Sequence, residues 1–281
     1  MIESIALNGF TFSATGASIQ AVSGNGMPTI RSSTENLSQQ DGSISTGYRY
    51  GARIIGWSGD LVASSLTLYM TLRQSLMLAL RPGSLQGDDM VFTLSDGSTR
   101  TLRDVVCIDQ NLDLPSGEAS RTWNSYQVTF RAHFPFFEGA AHDNTQDRTI
   151  ISGGVGIPAV IPMSFASGTS SSSDPLVVDN AGNAQAYPIF TISGSGTLFT
   201  ITNSTNGQQM VINTTLSSGS QIIIDIRRQT VTMNGSSIMQ YVSGEWITLD
   251  AGENTLSLSV DSGYTSDTSM RTEFYDTYMG I

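Results

Sequence analysis

Lysine is absent from this sequence of 281 residues, so all 13 of its basic side chains are arginines. A planar guanidinium suits fixed ion pairs and interfaces better than a mobile ammonium does. Positive charge is scarce as well: 24 acids set the net charge at −11. Residues 1–150 hold 10 arginines against 14 acids, and residues 151–281 hold 3 against 10. No basic stripe can form on such a chain, which argues against binding nucleic acid through its phosphates. Charged residues make up only 13%, where soluble proteins average about 25%. Cys107 is the single cysteine, which excludes an intrachain disulfide. Within Val105-Val106-Cys107-Ile108 it is expected to pack as a small buried apolar side chain. No apolar run approaches the roughly 18 residues needed to span a bilayer. The opening MIESIALNGF also lacks the basic and apolar regions of a secretory signal. A soluble protein without membrane insertion is the expectation.

Catalytic chemistry is equally thin. The two histidines are His133, among aromatics near a strand end, and His142, in the polar stretch AAHDNTQD. A metal site from His142, Asp143 and Asp147 is conceivable, but the spacing follows no familiar ligand pattern. No nucleophile elbow, Walker loop or dinucleotide fingerprint occurs in strand-to-helix context. GGVGIP at 153–158 has glycines without a helix behind them, and Asp88-Asp89 reads as a solvated turn. The reading is a non-enzyme without cofactor or metal.

What the chain does have is Ser, Thr, Asn, Gln and 28 glycines between short apolar runs. That composition favours β structure with tight turns. Ile2 to Phe12 reads as a strand ending in a glycine turn, and 13–47 as a long loop or irregular arm with a turn at GNGMP, 24–28. A long ordered loop is usually functional, and a role in subunit contacts is expected for this one. The one helix is predicted over 65–80, where Leu66, Tyr69, Leu72, Leu76 and Leu80 recur at steps of three and four. Ser64 or Ser65 caps its start and Pro82-Gly83 stops it, while Met70 and Met77 widen its apolar surface. Strands follow at 90–94, 99–108 and 122–132, with Asp96-Gly97 as a hairpin turn and a corner near Pro135 in FRAHFPFFEG.

Residues 151–174 mix Gly, Pro and Ser and read as a connecting segment between a domain at 1–150 and another at 175–281. After it come YPIFTIS, LFTITN, QMVINT, QIIIDI, TVTMNG, WITLD, TLSLSV and TEFYDTYMG. Eight short strands without a helix indicate a β-sandwich or jelly roll. Within EWITLDAGENTLSLSV, 245–260, two strands are expected over a turn. Ile247, Leu249, Leu256, Leu258 and Val260 would share one face, which puts Trp246 with Thr248 on the polar side. A ring standing there could cover a sheet edge, fill a pocket of another subunit, or stack on a sugar.

Several stretches of the second half follow one another in an order that resembles the distal tail proteins of phages with long, non-contractile tails. They are NAGNAQAYPIFTISGSG (180–196), ITNSTNGQQMVIN (201–213), QIIIDIRRQTVTMNG (221–235) and EWITLDAGENTLSLSV. The likeness rests on Asn-x-Gly before Tyr187-Pro188, on Asn203 with the following Thr-Asn-Gly, on Asp225 before Arg227 and Arg228, and on Trp-x-x-Leu leading to Gly252-Glu253-Asn254. The first half is similar more loosely, through DGSISTGYRYGARIIGWSGDL, the helix before Arg81-Pro82, and VTFRAHFPFFEG.

The resemblance implies a mainly β chain: an N-terminal β-rich domain with one helix that forms a ring, and a C-terminal galectin-like β-sandwich. It implies a homohexameric ring at the virion's tail tip, joining the tail tube protein to the tail hub or tip protein and to a receptor-binding protein. DNA would pass through without specific binding. The alternative is a carbohydrate-binding adhesin that uses Trp246 or Tyr241, with Tyr264 nearby in sequence.

Overall fold

In a computed structural model of the chain, the described residues are 1–36, 38, 41, 43–81, 83, 87–113, 122–144, 171–172, 175–265 and 267–281. They divide into two units, one of Met1–Ala140 with Tyr278–Ile281 and the other of Ala141–Thr277. Apart from Ser171 and Ser172, the expected connecting segment, 151–174, lies outside the described residues.

The first unit opens with a hairpin of β1 (Ile2–Leu7) and β2 (Phe10–Phe12). Asn8 and Gly9 turn it with φ of 48° and 79°, the doubly positive turn that matches strand twist. There follow β3 (Ala21–Ser23), β4 (Ile30–Asn36), β5 (Ser43–Tyr50), β6 (Arg53–Val62), α1 (Leu66–Leu80), β7 (Asp88–Leu94), β8 (Thr99–Asn111), β9 (Trp123–Ala132) and β10 (Phe137–Asn144), which from Ala141 onward belongs to the second unit. An antiparallel sheet runs β2-β1-β7-β8-β9-β6-β3, and Phe137 and Glu138 add to β8. Alternation along β6 turns Ile55, Trp57 and Leu61 inward. The Trp57 indole stacks on Phe130 at 4.9 Å and meets the edge of Phe12 at 5.0 Å.

The helix forms where its periodicity predicts. The Ser65 Oγ accepts from the Leu68 N–H, satisfying one of the orphan donors of the first turn. Tyr69, Leu76, Ala79 and Leu80 are buried, whereas Leu66, expected among them, is 41% exposed at the first helical position. The region 13–47 is more ordered than an irregular arm: β4 and β5 form a two-stranded antiparallel hairpin outside the main sheet. Asp88 and Asp89 begin β7 instead of lying in a solvated turn. Asp88 accepts from Asn8 and from the Gly83 N–H, and Asp89 pairs with Arg103, which also holds Glu138.

The second unit contains β11 (Ser171–Ser172), β12 (Leu176–Asn180), β13 (Ile189–Asn203), β14 (Gln208–Asp225), β15 (Thr230–Met233), β16 (Ser236–Ser237), β17 (Val242–Gly244), β18 (Gly252–Ser262) and β19 (Ser269–Tyr278), the last ending on the first residue of the other unit's return segment. Four expected strands are in fact two long ones. YPIFTIS and LFTITN join in β13, and QMVINT and QIIIDI join in β14. Residues 189–193 of β13 pair with β19, and residues 197–203 pair with β18. The changeover falls at Gly194 and Gly196, with φ of 103° and 155°. A Cβ on Gly196 would lie 2.6 Å from a Val260 methyl. Such bulged strands let one hairpin serve both layers of a sandwich. Phe190, Ile192, Phe199, Ile201, Ile222 and Ile224 are fully buried between the layers.

Residues 245–251 are not the first strand of a hairpin; Leu249 makes only an isolated bridge to Ala186. Side-chain amides replace the missing ladder. The fully buried Asn203 donates to the Thr248 carbonyl at 2.9 Å and to Asn254 Oδ1 at 3.1 Å. Asn254 donates to the Asp250 carbonyl and accepts the Asp250 N–H, while Asn180 donates to the carbonyls of Ala184 and Asp250. Thr248 is therefore buried, its N–H donated to Gln208 Oε1.

Candidate functional site

His133 is exposed. His142 Nε2 lies 2.9 Å from Asp276 Oδ2, with its ring stacked on Phe274 at 5.1 Å. Asp143 takes both Nε and a terminal nitrogen of Arg271, which also reaches Glu273. Asp147 lies outside the described residues. Among the described residues, no three His, Cys, Asp or Glu side chains converge as metal ligands, and no helix is long and apolar enough to cross a membrane.

Trp246 is half-buried and packs against the core of the second unit, as does Tyr264. Period-two alternation does not apply to it because residues 245–248 are not in a strand. Tyr241 is 47% exposed at the end of a single 3-10 turn, Met239–Tyr241. Among the described residues no ring contact joins Trp246 to Tyr241, so the two are not shown to form one platform.

The first unit carries a different kind of feature. On α1, Leu66, Met70 and Met77 are exposed along one flank at spacings of four and seven. Leu68 and Leu78 are exposed on the outer side. Sequence reading placed Met70 and Met77 but missed Leu68 and Leu78, which fall off the periodic face; that mismatch was the available signal. The flank continues into an open cleft of about 380 Å³ of mixed lining, with Met77, Leu80, Cys107, Ile108 and Leu112 beside the polar Arg81, Asp109 and Gln110. Ile108 is exposed beside it. Cys107 is half-buried rather than fully buried, its Sγ 3.5 Å from the Asp109 carbonyl, and burial pushes its pKa up. It is a packing residue without an activated thiolate.

The β4–β5 hairpin is the second such feature. Nearly every residue on it is exposed, including Ile30, Ile44 and Tyr48. Arg31 stands directly opposite Arg49, an arrangement of like charges that costs stability unless an acid comes between them. Among the described residues neither guanidinium meets a carboxylate. An isolated two-stranded ribbon is at best marginally stable in water, and both its edges are open to pairing.

Residues 181–275 match the family described as the siphovirus-type tail component, C-terminal domain. No curated protein matches the chain. Among solved structures, the Dit protein of phage SPP1, described as a paradigm of the hub adsorption apparatus in phages infecting Gram-positive hosts, aligns over 98% of both chains at 16% identity with a TM-score of 0.63. Two structures of the phage p2 baseplate in its activated conformation, with calcium and with strontium, align over 94% and 97% of this chain and 99% and 97% of theirs. Their identities are 10% and 11% and their TM-scores 0.44 and 0.45, too low to establish a shared fold. The mainly β architecture with one helix is thus the fold of SPP1 Dit, and residues 181–275 are similar to the C-terminal domain of siphovirus-type tail components.

Proposed function

We propose that this chain is a structural component of a siphophage tail tip, located in the virion, where copies close into a ring that joins the tail tube to the host-recognition apparatus. The observation that carries the reading is the pair of unlike apolar surfaces on the first unit, the α1 flank with its cleft and the β4–β5 arm. Two different apolar surfaces fit a head-to-tail contact, which closes as a ring when its rotation returns to the first copy. The opposed Arg31 and Arg49 suit an acidic neighbour, which a second copy with net charge −11 supplies. Six copies per ring, and contacts with tube, hub and receptor-binding proteins, come from the resemblance. An acidic lumen would let DNA pass without adhesion, because like charges repel.

Light scattering on the purified chain, followed by negative-stain images, tests the ring. A six-fold ring is expected, alone or on adding the tail tube protein. A monomer under both conditions would sink the reading. Sugar binding by the second unit is the other reading, and the exposed ring of Tyr241 is what favours it. A glycan array with wild type and Tyr241→Ala tests it, and equal binding by both removes Tyr241 from it.

A further inference from the structure

Arg53 starts β6 in phase with Ile55 and Trp57, on the face that should be apolar, and it is 1% exposed. Among the described residues its guanidinium meets no carboxylate. Nε donates to the Pro135 carbonyl at 2.6 Å, and one terminal nitrogen donates to the carbonyls of Gly24 and Gly26 at 2.5 and 2.6 Å. The other donates to the Met279 carbonyl at 2.5 Å, and the plane lies 4.4 Å from the Phe137 ring centre. Burial lowers its pKa to about 10, which leaves it charged at neutral pH. An ion held this way is costly unless its donors are used, and four hydrogen bonds to carbonyls from three separate stretches of chain use most of them.

Those stretches share a position in the fold. Gly24 and Gly26 lie just before β4, and Tyr50 ends β5. The Ile281 N–H donates to the Asn25 carbonyl at 3.0 Å, and the Tyr50 hydroxyl reaches Met279 Sδ at 3.8 Å. Tyr278 is anchored in turn under the Arg100 guanidinium at 3.8 Å. Gly280 lies so close to the loop that a Cβ on it would sit 2.9 Å from the Asn25 carbonyl oxygen.

We infer that residues 278–281 act as a strap that, through Arg53, clamps both roots of the β4–β5 arm. Among the described residues the arm has no other large contact to hold its direction, since nearly all of its own residues are exposed. A strap at its two roots converts a loose ribbon into a directed one, which lowers the ordering entropy left to lose on docking. The strap follows the second unit in the chain, so the arm is held only after that unit has been traversed. The consequence for assembly rests on the ring reading; the clamp itself does not.

Gly280→Val tests the clamp by pushing the strap off the Asn25–Gly26 backbone. Because lysine is absent, trypsin cuts only at arginine, and Arg31 and Arg49 both lie on the exposed arm. The variant should cut at these two sites about tenfold faster or more, as local opening replaces a held root. Amide exchange should rise at residues 24–29 and 48–52 and stay unchanged in β6 and β9. Unchanged cleavage and exchange would overturn the inference. Loss of protection throughout the first unit would overturn it as well, because the strap would then be ordinary core. Both readouts work on a monomer, so failure of the ring leaves the clamp decided. If wild type forms a ring, Gly280→Val should shift it toward monomer.

Discussion

Among the described residues, the second unit leaves Val177, Met239, Tyr241 and Tyr275 as its exposed large apolar side chains, scattered over separate elements. In the first unit much of the exposed set gathers on two elements, with Leu66, Leu68, Met70, Met77 and Leu78 on α1 and Ile30, Ile44 and Tyr48 on the β4–β5 arm, while Met1, Met27, Ile54, Val62, Ile108 and Trp123 lie elsewhere. Scattered apolar residues are ordinary, while gathered ones mark a surface meant to be covered. Exposed and buried polar side chains differ as well. Asn180, Asn203 and Asn254 are fully buried and find partners inside the second unit, whereas Arg31 and Arg49 oppose each other on the arm. The first unit thus offers the surfaces that the proposed ring would cover.

The comparison breaks most visibly if the second unit is unfolded alone. Phe190→Ala removes a fully buried ring from its core and should cost about 3–5 kcal/mol. Amide exchange should accelerate across β13, β14 and β19, while α1 keeps its wild-type protection. Equal loss in α1 would mean that the units do not fold independently. A smaller effect is expected from Asn254→Ala, which strands the donor of Asn203 and the Asp250 N–H. A loss of about 1–3 kcal/mol should appear as a lower urea midpoint for the second unit. Ser65→Ala should cost about 1 kcal/mol and fray the first turn of α1, read as faster exchange at Leu68 and its neighbours. The smallest effect on stability sharpens the comparison best. Met77→Glu and Ile44→Glu alter exposed positions and should change monomer stability by no more than about 0.5 kcal/mol. If the proposed ring forms, each should nevertheless shift it toward monomer in light scattering, and a ring of wild-type stability in both would remove these surfaces from the interface.

Much of the fold was legible because its local rules are strong. The step of three and four between Tyr69, Leu72, Leu76 and Leu80, with a serine just ahead, located α1 to within a residue. Asp96-Gly97 marked the β7–β8 turn correctly, since the glycine sits at φ 81°. The errors arose where a local signal had two meanings. Ser193-Gly194-Ser195-Gly196 reads as a turn between strands, yet in β13 it is the point where one strand changes partners. WITLD alternates like a strand, yet its backbone is held by asparagine amides from other segments. The arm was visible only as a long polar stretch, because period-two alternation is faint where neither face is buried.

By itself, the sequence determined the class of this protein: mainly β, one capped helix, a turn-rich second half, no disulfide, and acid in excess. Periodicity and turn chemistry are properties of neighbouring residues, so they can be read without knowing what packs on them. Tertiary structure alone decided that Thr248 is inside, that Leu68 and Leu78 stay outside, and that residues 278–281 return to the first unit. It also decided that a charged Arg53 can lie in an apolar face. The carbonyls that make this possible come from residues 24, 26, 135 and 279, and no local pattern announces that stretches so distant will meet.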